Sequence, residues 1–193
     1  MNRPRQYDRD EVLEKATELF WEKGFEATSM NEMVARSSLN KHSLYSEFGD
    51  KEKLFIECID HYISKSNRVV SDILTKKPLG LSNIEAFLDN RVNYAASEDC
   101  KGCLIVNSVT EKEILSEEIN LKVKSFISKF KAFFYNCLQA AQDKNEISED
   151  KDCKTLADYL VCFTFGLVNI GKNETKKKEL RKMVDVALSA VRR

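Results

Sequence analysis

Residues 28–55 read TSMNEMVARSSLNKHSLYSEFGDKEKLF, and the fold is decided by how this stretch divides. Ser29-x-x-Glu32 has the spacing of a capping box, with Thr28 just before it. A hydroxyl at the N-cap and a carboxylate three residues on satisfy free backbone N–H groups reciprocally. Met30, Met33 and Val34 give the following helix one apolar face, and the pattern stops by Ser37 and Ser38. Leu39 is then a lone apolar residue in a polar turn. The spacing predicts a second short helix over 41–48, with Leu44, Tyr45 and Phe48 on one side. Gly49 and Asp50 close it, and Asp50 is placed to cap a longer helix carrying Leu54, Phe55, Cys58, Ile59, Tyr62 and Ile63. Upstream, Asp8-x-x-Glu11 opens a helix whose Val12, Leu13, Ala16, Leu19 and Phe20 recur on one face, and Gly24 ends it. Two short helices joined by about four residues, with longer helices on either side, is the plan of a helix-turn-helix.

The rest of the chain carries the same helical signature. Of 193 residues only 6 are Gly and 2 are Pro, where average usage of the two together is about 12%. A sandwich or barrel, with turn signals about every 8–12 residues, is therefore disfavoured. Past Pro78 and Gly80, Ser82-x-x-Glu85 has the spacing of a further capping box, and Ile84, Phe87, Leu88, Arg91, Val92 and Ala95 continue that helix. A break over 97–102 precedes the apolar run 103–106 and a helix reaching Leu115. A long amphipathic segment follows over 118–143. The segment 152–170 is apolar on almost every side, as expected of a helix buried all round. The last helix, over 176–191, is one-sided through Leu180, Met183, Val184, Ala187, Leu188 and Val191. The expectation is an all-α protein of about nine helices: a head over 1–50 and a larger helical body over 51–193, with the long fourth helix as connector.

No stretch suits a membrane. The longest uncharged run, 159–171, has 13 residues, short of the roughly 20 that span a bilayer. Behind Arg3 and Arg5 the chain turns acidic at Asp8, Asp10 and Glu11, leaving no apolar leader. A cytoplasmic protein without membrane contact is expected.

Formal net charge is zero, 31 basic against 31 acidic residues, which removes the simplest argument for a nucleic-acid partner. Residues 1–60 are even acidic, with 9 Lys and Arg against 13 Asp and Glu. Yet 33–46 contains no acid at all and holds Arg36, Lys41 and His42. Basic character is thus concentrated where the second helix of a helix-turn-helix meets a duplex. Asn40, Lys41, His42, Ser43 and Ser46 offer polar groups suited to base edges, Lys toward guanine acceptors and Asn toward adenine. Thr28 and Ser29 begin a helix, where free N–H groups and the positive dipole end attract phosphate, and Lys51 is similarly placed. Arg3 and Arg5 precede the first helix, within reach of phosphates or the minor groove. A purely structural reading has Thr28 and Ser29 only capping a helix and Tyr45 packed inside the head.

This stretch resembles the DNA-binding head of the TetR family of bacterial regulators. Thr28, Ser29, Met30, Leu44, Tyr45, Phe48, Lys51 and Leu54 fall on the family pattern, and Leu19-Phe20 followed by Gly24-Phe25 matches its upstream signature. Met33-Val34 stands where the family has Ile-Ala, and Ser37-Ser38-Leu39-Asn40 replaces its Ala-Gly-Val-Ser turn. Ser38 takes a glycine's place, where a positive φ costs up to ~1 kcal/mol. His42 replaces a glycine of the recognition helix, so operator preferences do not transfer. The resemblance implies that Thr28, Ser29, Lys51 and Tyr45 grip the DNA backbone. It also implies a homodimer through the last two helices, placing two recognition helices on a double-stranded operator. A small-molecule effector in the body would release a repressor from that operator. Gly166, inside a helix, then reads as a close approach of the dimer partner.

Two further groups of residues stand out. The aromatic-rich body offers Phe87, Arg91, Tyr94, Phe126, Phe130, Tyr159 and Phe163 as a ligand pocket, although residues at helical spacing also read as plain core. Cys100-Lys-Gly-Cys103 suits a reactive thiol, or simply a surface cysteine followed by a small apolar one that starts a helix. A zinc site would need two more ligands; no second CxxC exists, and His occurs only at 42 and 61. Relatives resembling the chain at Gly102-Cys103-Leu104 sense electrophiles or oxidants through that cysteine, which makes a redox-switched regulator the first alternative. A helical interaction protein that has lost DNA binding is the second, on the acidic head and the Ser38 and His42 departures. No nucleophile–base motif or phosphate loop is present, so no enzyme, cofactor or metal is expected.

Overall fold

The computed structural model describes residues 7–173 and 175–192, and contains helices and no strand among them. Arg3 and Arg5 lie outside the described residues. Asp8 accepts from the Asp10 and Glu11 amides and so starts α1 (Arg9–Lys23), which ends at Gly24 with φ 83°. Then follow α2 (Met30–Ser37), α3 (Lys41–Phe48), α4 (Lys51–Leu74), α5 (Leu81–Ala95) and α6 (Leu104–Thr110). A 3-10 turn at Lys112–Ile114 precedes α7 (Glu117–Asp143), α8 (Cys153–Gly171) and α9 (Lys177–Val191).

The chain forms two compact units. One comprises Met1–Lys65 and Leu104–Val123, the other Ser66–Cys103 and Lys124–Arg193. The first unit is built on Phe20, which meets Phe55 edge-on at 4.6 Å, with Phe25 tilted against Phe55 at 5.0 Å. Met33 from α2, Leu44 and Phe48 from α3, and Leu54 and Ile59 from α4 are buried with them. In the second unit α5 packs on α8 and α9. Phe87 of α5 lies T-shaped to both Phe130 and Phe134 of α7, each at 5.5 Å.

Four expectations change. Tyr45 is 41% exposed although Leu44 and Phe48 beside it are buried; α3 packs along its 44/48 edge, and position 45 lies a further 100° round the helix. The box expected at Ser82 and Glu85 is not made. Gly80 begins α5, its amide donating to Asn83 Oδ1, and Asn83 Nδ2 ties the carbonyls of Ile73 and Lys76. Glu146 Oε2 takes the Leu81 amide, and Glu85 pairs instead with Arg192. The helix expected to reach Leu115 stops at Thr110. Helix α8 is not buried all round: Ala157, Leu160, Val161, Thr164, Leu167 and Val168 face inward, whereas Tyr159, Cys162 and Ile170 face out. By length and composition alone α8 is apolar enough to cross a bilayer, yet its inward face is packed within the second unit.

Within the chain, helices approach closely at Gly171, while Gly166 is open. A Cβ at Gly166 would meet nothing within 4 Å, whereas one at Gly171 would lie 2.4 Å from the Ala95 carbonyl oxygen. That neighbour is backbone, so relief requires α5 and α8 to part. Gly171→Ala is expected to lower unfolding stability by about 1–3 kcal/mol, read as a lower denaturation midpoint with an unchanged helical spectrum at 20 °C.

Candidate nucleic-acid interface

The helix-turn-helix is set by local hydrogen bonds that its sequence specifies. Ser29 Oγ accepts from the Glu32 amide at 3.3 Å, while Glu32 Oε2 takes the Ser29 amide and hydroxyl, each at 2.9 Å. Lys23 also donates to Glu32. The Lys23 bond, followed by the Ser29 amide and hydroxyl, holds the Glu32 carboxyl down at about 2, so the box is charged at neutral pH. Ser38 turns the chain in the left-handed region, φ 61°, and Asn40 caps α3 by accepting from the Ser43 amide at 2.8 Å. Asp50 Oδ1 takes the Lys53 amide and so opens α4.

The structure gathers most of the expected contact residues on one side of α3. Asn40, Lys41, His42, Tyr45 and Ser46 are exposed and Ser43 is half-buried. Lys41 Nζ stands 5.9 Å from the Tyr45 ring centroid. A groove of about 910 Å³ separates this face from the start of α1, lined by Tyr7, Glu11, Lys15, Ser38, Asn40, His42, Ser43 and Ser46. Glu47, the one acid on α3, is half-buried and tied to Tyr7 Oη and Arg9 Nε, each at 2.7 Å. Arg9 also reaches Glu57 at 2.5 Å, and that bond chiefly raises its pKa. Arg36, counted within the acid-free strip, forks onto Glu22 through two 2.9 Å bonds. Its charge therefore ties α2 to α1, leaving Lys41 and His42 as the strip's outward basic groups.

The expected backbone-gripping residues divide. Ser29 is exposed and Lys51 half-buried at the head of α4. Thr28 is only 2% exposed, and its hydroxyl donates to the Gly24 carbonyl at 2.7 Å. Its side chain closes the α1–α2 turn and is not a surface donor, a correction to the expected set. Lys51 Nζ donates to the Glu26 carbonyl at 3.2 Å and lies 4.3 Å over the Phe25 ring. Sequence reasoning missed Asn107 and Glu111, which reach this turn from α6 and its end: Asn107 bonds the Trp21 carbonyl, and Glu111 the Phe25 and Glu26 amides. Their i, i+4 spacing, which puts both on one face of a helix, was the available signal.

In the second unit the seven expected pocket residues fall into two groups. Phe87, Phe130 and Phe126 pack in series, with Arg91 5.3 Å from the Phe87 ring and 5.8 Å from that of Tyr94. Tyr159 and Phe163 stack on each other at 6.1 Å, Phe163 packed against the core and Tyr159 on the exposed edge of α8. Tyr94 Oη accepts from the Lys101 amide at 3.2 Å and donates to the Gly102 carbonyl at 3.3 Å, so it braces the 100–103 loop; burial pushes its hydroxyl up to about 12. Cys103 is buried, and Cys100 is half-buried beside a cleft of about 630 Å³ that Lys172, Lys176 and Lys177 also line. Burial raises the Cys58 thiol to about 12 and that of Cys137 to about 11. Among the described residues no cluster of three or more His, Cys, Asp or Glu is placed to hold a metal.

Comparison with known proteins gives a consistent result. Residues 12–58 match the family model "Bacterial regulatory proteins, tetR family", and residues 80–191 match "Tetracyclin repressor-like, C-terminal domain". The HTH-type transcriptional regulator YezE of Bacillus subtilis (strain 168) is 30% identical, across 99% of this chain and 100% of its own. The HTH-type transcriptional repressor ComR of Escherichia coli (strain K12) is 29% identical, across 98% of this chain and 90% of its own. Among solved structures, a cysteine mutant of the TetR family transcriptional regulator CifR, complexed with 26-bp double-strand operator DNA, superposes with TM-score 0.83. It is 25% identical, with 98% of this chain and 100% of that one covered.

Ser38 lies inside the matched segment and holds a left-handed conformation that an L side chain disfavours. Ser38→Gly is expected to stabilise the protein by about 0.5–1 kcal/mol, raising the melting temperature by about 2 °C at this chain length. Differential scanning calorimetry of the two proteins side by side checks it.

Proposed function

Because the chain belongs to the tetR family of bacterial regulatory proteins, we propose that this transcriptional regulator is a repressor that a small-molecule inducer releases from its operator. The carrying observation is the outward face of α3. Leu44 and Phe48 lock the helix into the core while Asn40, Lys41, His42, Tyr45 and Ser46 stay in solvent, with Glu47 neutralised behind them. DNA binding is assigned to residues 1–50, and effector binding and dimerisation to 51–193, with α4 as connector. Lys41 suits guanine acceptors in the major groove, and His42 and Ser46 flank it. Asn40 spends its carbonyl oxygen on capping α3, which leaves its amide N–H groups as the donors facing DNA. Ser29, Tyr45 and Lys51 are assigned to phosphates, together with the free first-turn amides of α2. Thr28 supports that turn from within. Arg3 and Arg5 are assigned to the adjacent backbone or minor groove.

A second copy supplies the other half-site. The exposed apolar stripe of Tyr159, Cys162 and Ile170 on α8, with Met183 and Val186 on α9, suits a two-fold interface in which each stripe covers its mate. Val186, at 69% exposure, is the residue most in need of cover. Two recognition helices one DNA turn apart then read a near-palindromic site. An inducer near Phe87, Arg91, Tyr94, Phe126 and Phe130, with Phe163, acts by binding better to a dimer geometry that mis-spaces the heads. The operator comes from selecting bound fragments out of random duplex DNA. Lys41→Ala with Tyr45→Ala is expected to weaken binding to it by tenfold or more, since each base or phosphate contact is worth roughly 1–3 kcal/mol, and to leave the folding transition in place. Gel-shift titration reads the effect, and unchanged affinity would sink the assignment.

A second reading rests on the 100–103 loop. Tyr94 braces it on both sides, and Cys100 opens onto a lysine-lined cleft. Oxidation at Cys103 or Cys100 would break that bracing in place of a diffusible inducer. On this reading hypochlorite or a quinone lowers operator affinity of the parent, and protein carrying both Cys100→Ser and Cys103→Ser is insensitive. Equal response of the parent and the double variant refutes it.

A further inference from the structure

The α1–α2 turn, which presents Ser29 and contacts Lys51, is held by residues more than 80 positions away in sequence. Asn107, on α6, donates through Nδ2 to the Trp21 carbonyl at 3.0 Å. One helical turn later, Glu111 Oε2 accepts from the Phe25 amide at 2.8 Å and Oε1 from the Glu26 amide at 3.0 Å. A Cβ at Gly24 would stand 2.7 Å from Glu111 Oε1, so glycine there both takes φ 83° and makes room for the carboxylate. The turn's carbonyls are tied as well: Gly24 accepts from Thr28 Oγ1, and Glu26 from Lys51 Nζ. The other ties on the turn among the described residues come from nearer in sequence: Thr28, Lys51 and the Phe25–Phe55 contact.

We propose that Glu111 and Asn107 are positioning residues for DNA binding, fixing the α1–α2 turn so that Ser29 and Lys51 face the phosphates together. This rests on the DNA-binding reading above. A carboxylate shared between two amides is a charge-assisted, directional clamp, and it sets where α2 begins without touching DNA. Losing it leaves two amides without their acceptor and lets the turn, with the Lys51 partner it carries, sample other positions.

The test uses the full chain and the duplex selected from random DNA. Operator binding is followed by fluorescence anisotropy between 50 and 200 mM salt, and amide exchange is read in the free protein by mass spectrometry. Glu111→Ala is expected to lower affinity at least about tenfold and to reduce the salt slope by about one phosphate contact. The Phe25 and Glu26 amides should exchange faster while α8 and α9 keep their protection. Emission from Trp21, the only tryptophan, should shift with them. Glu111→Gln, which keeps an acceptor oxygen, should recover most of the affinity. A merely structural staple would lower the unfolding midpoint but leave affinity and salt slope of the folded protein at parental values, and that result overturns the proposal; so does unchanged exchange at Phe25 and Glu26. If Glu111→Ala does not fold, Asn107→Ala and Glu111→Gln give the same readouts in milder form. A parent chain that selects no duplex overturns the DNA-binding reading instead, and exchange in the free protein still decides whether the clamp exists.

Discussion

Phe20 meeting Phe55 edge-on at 4.6 Å is the contact on which the head is organised. Both rings are fully buried, and each belongs to a helix that flanks the helix-turn-helix in sequence. Such a pair contributes about 0.5–1.5 kcal/mol beyond the area it buries, but its larger effect is geometric. With α1 and α4 fixed, the space left between them accepts Met33 from α2 and Leu44 and Phe48 from α3, and little else. An eight-residue helix has too few hydrogen bonds to hold itself. Helix α3 therefore exists because Leu44 and Phe48 are gripped, and gripping that edge turns Lys41, His42, Tyr45 and Ser46 outward. The face proposed to meet DNA is the remainder of the packing.

Charge in the head follows the same logic of consumption and remainder. The region is net acidic, yet several of its acids are engaged locally: Glu47 by Arg9 and Tyr7, Glu22 by Arg36, Glu32 by Lys23 and Ser29, and Glu14 by His61 and Lys65; Glu111, from beyond it, is held by backbone amides. Counting residues could not foresee this, since an acid paired or sharing amides projects far less field than one facing solvent. What the duplex would meet is set by position, and α3's exposed side carries no unpaired carboxylate.

Legibility varied with the range of the interactions involved. The caps at Asp8, Ser29 and Asp50 were readable because each is closed by residues two or three positions away. The start of α5 was not. Ser82-x-x-Glu85 had the spacing of a box, but Asn83 prevailed because its amide also binds the Ile73 and Lys76 carbonyls while Glu146 supports Leu81. Periodicity misplaced Tyr45 because an apolar ring beside Leu44 fits equally well inside or outside an eight-residue helix; only the family resemblance turned it outward. The outward stripe of α8 was read as core for a related reason: periodicity registers apolar character and not what covers it. The positive φ at Ser38 was anticipated only through the family resemblance, which put a glycine there. Glu111 and its two amides are 85 and 86 residues apart, beyond any local pattern.

The first compact unit is discontinuous in sequence, and synthesis order gives that fact a consequence. Residues through Lys65 are made first, but the same unit also needs Leu104–Val123, including buried Leu104, Ile105, Leu115 and Ile119. At about 5–20 residues per second, the ribosome supplies that segment roughly 3–12 s after Lys65. During this interval the α1–α2 turn lacks Asn107 and Glu111. The nascent chain thus carries a helix-turn-helix whose sequence is complete but whose α1–α2 turn lacks its long-range ties until Ser66–Cys103 of the second unit has also been translated.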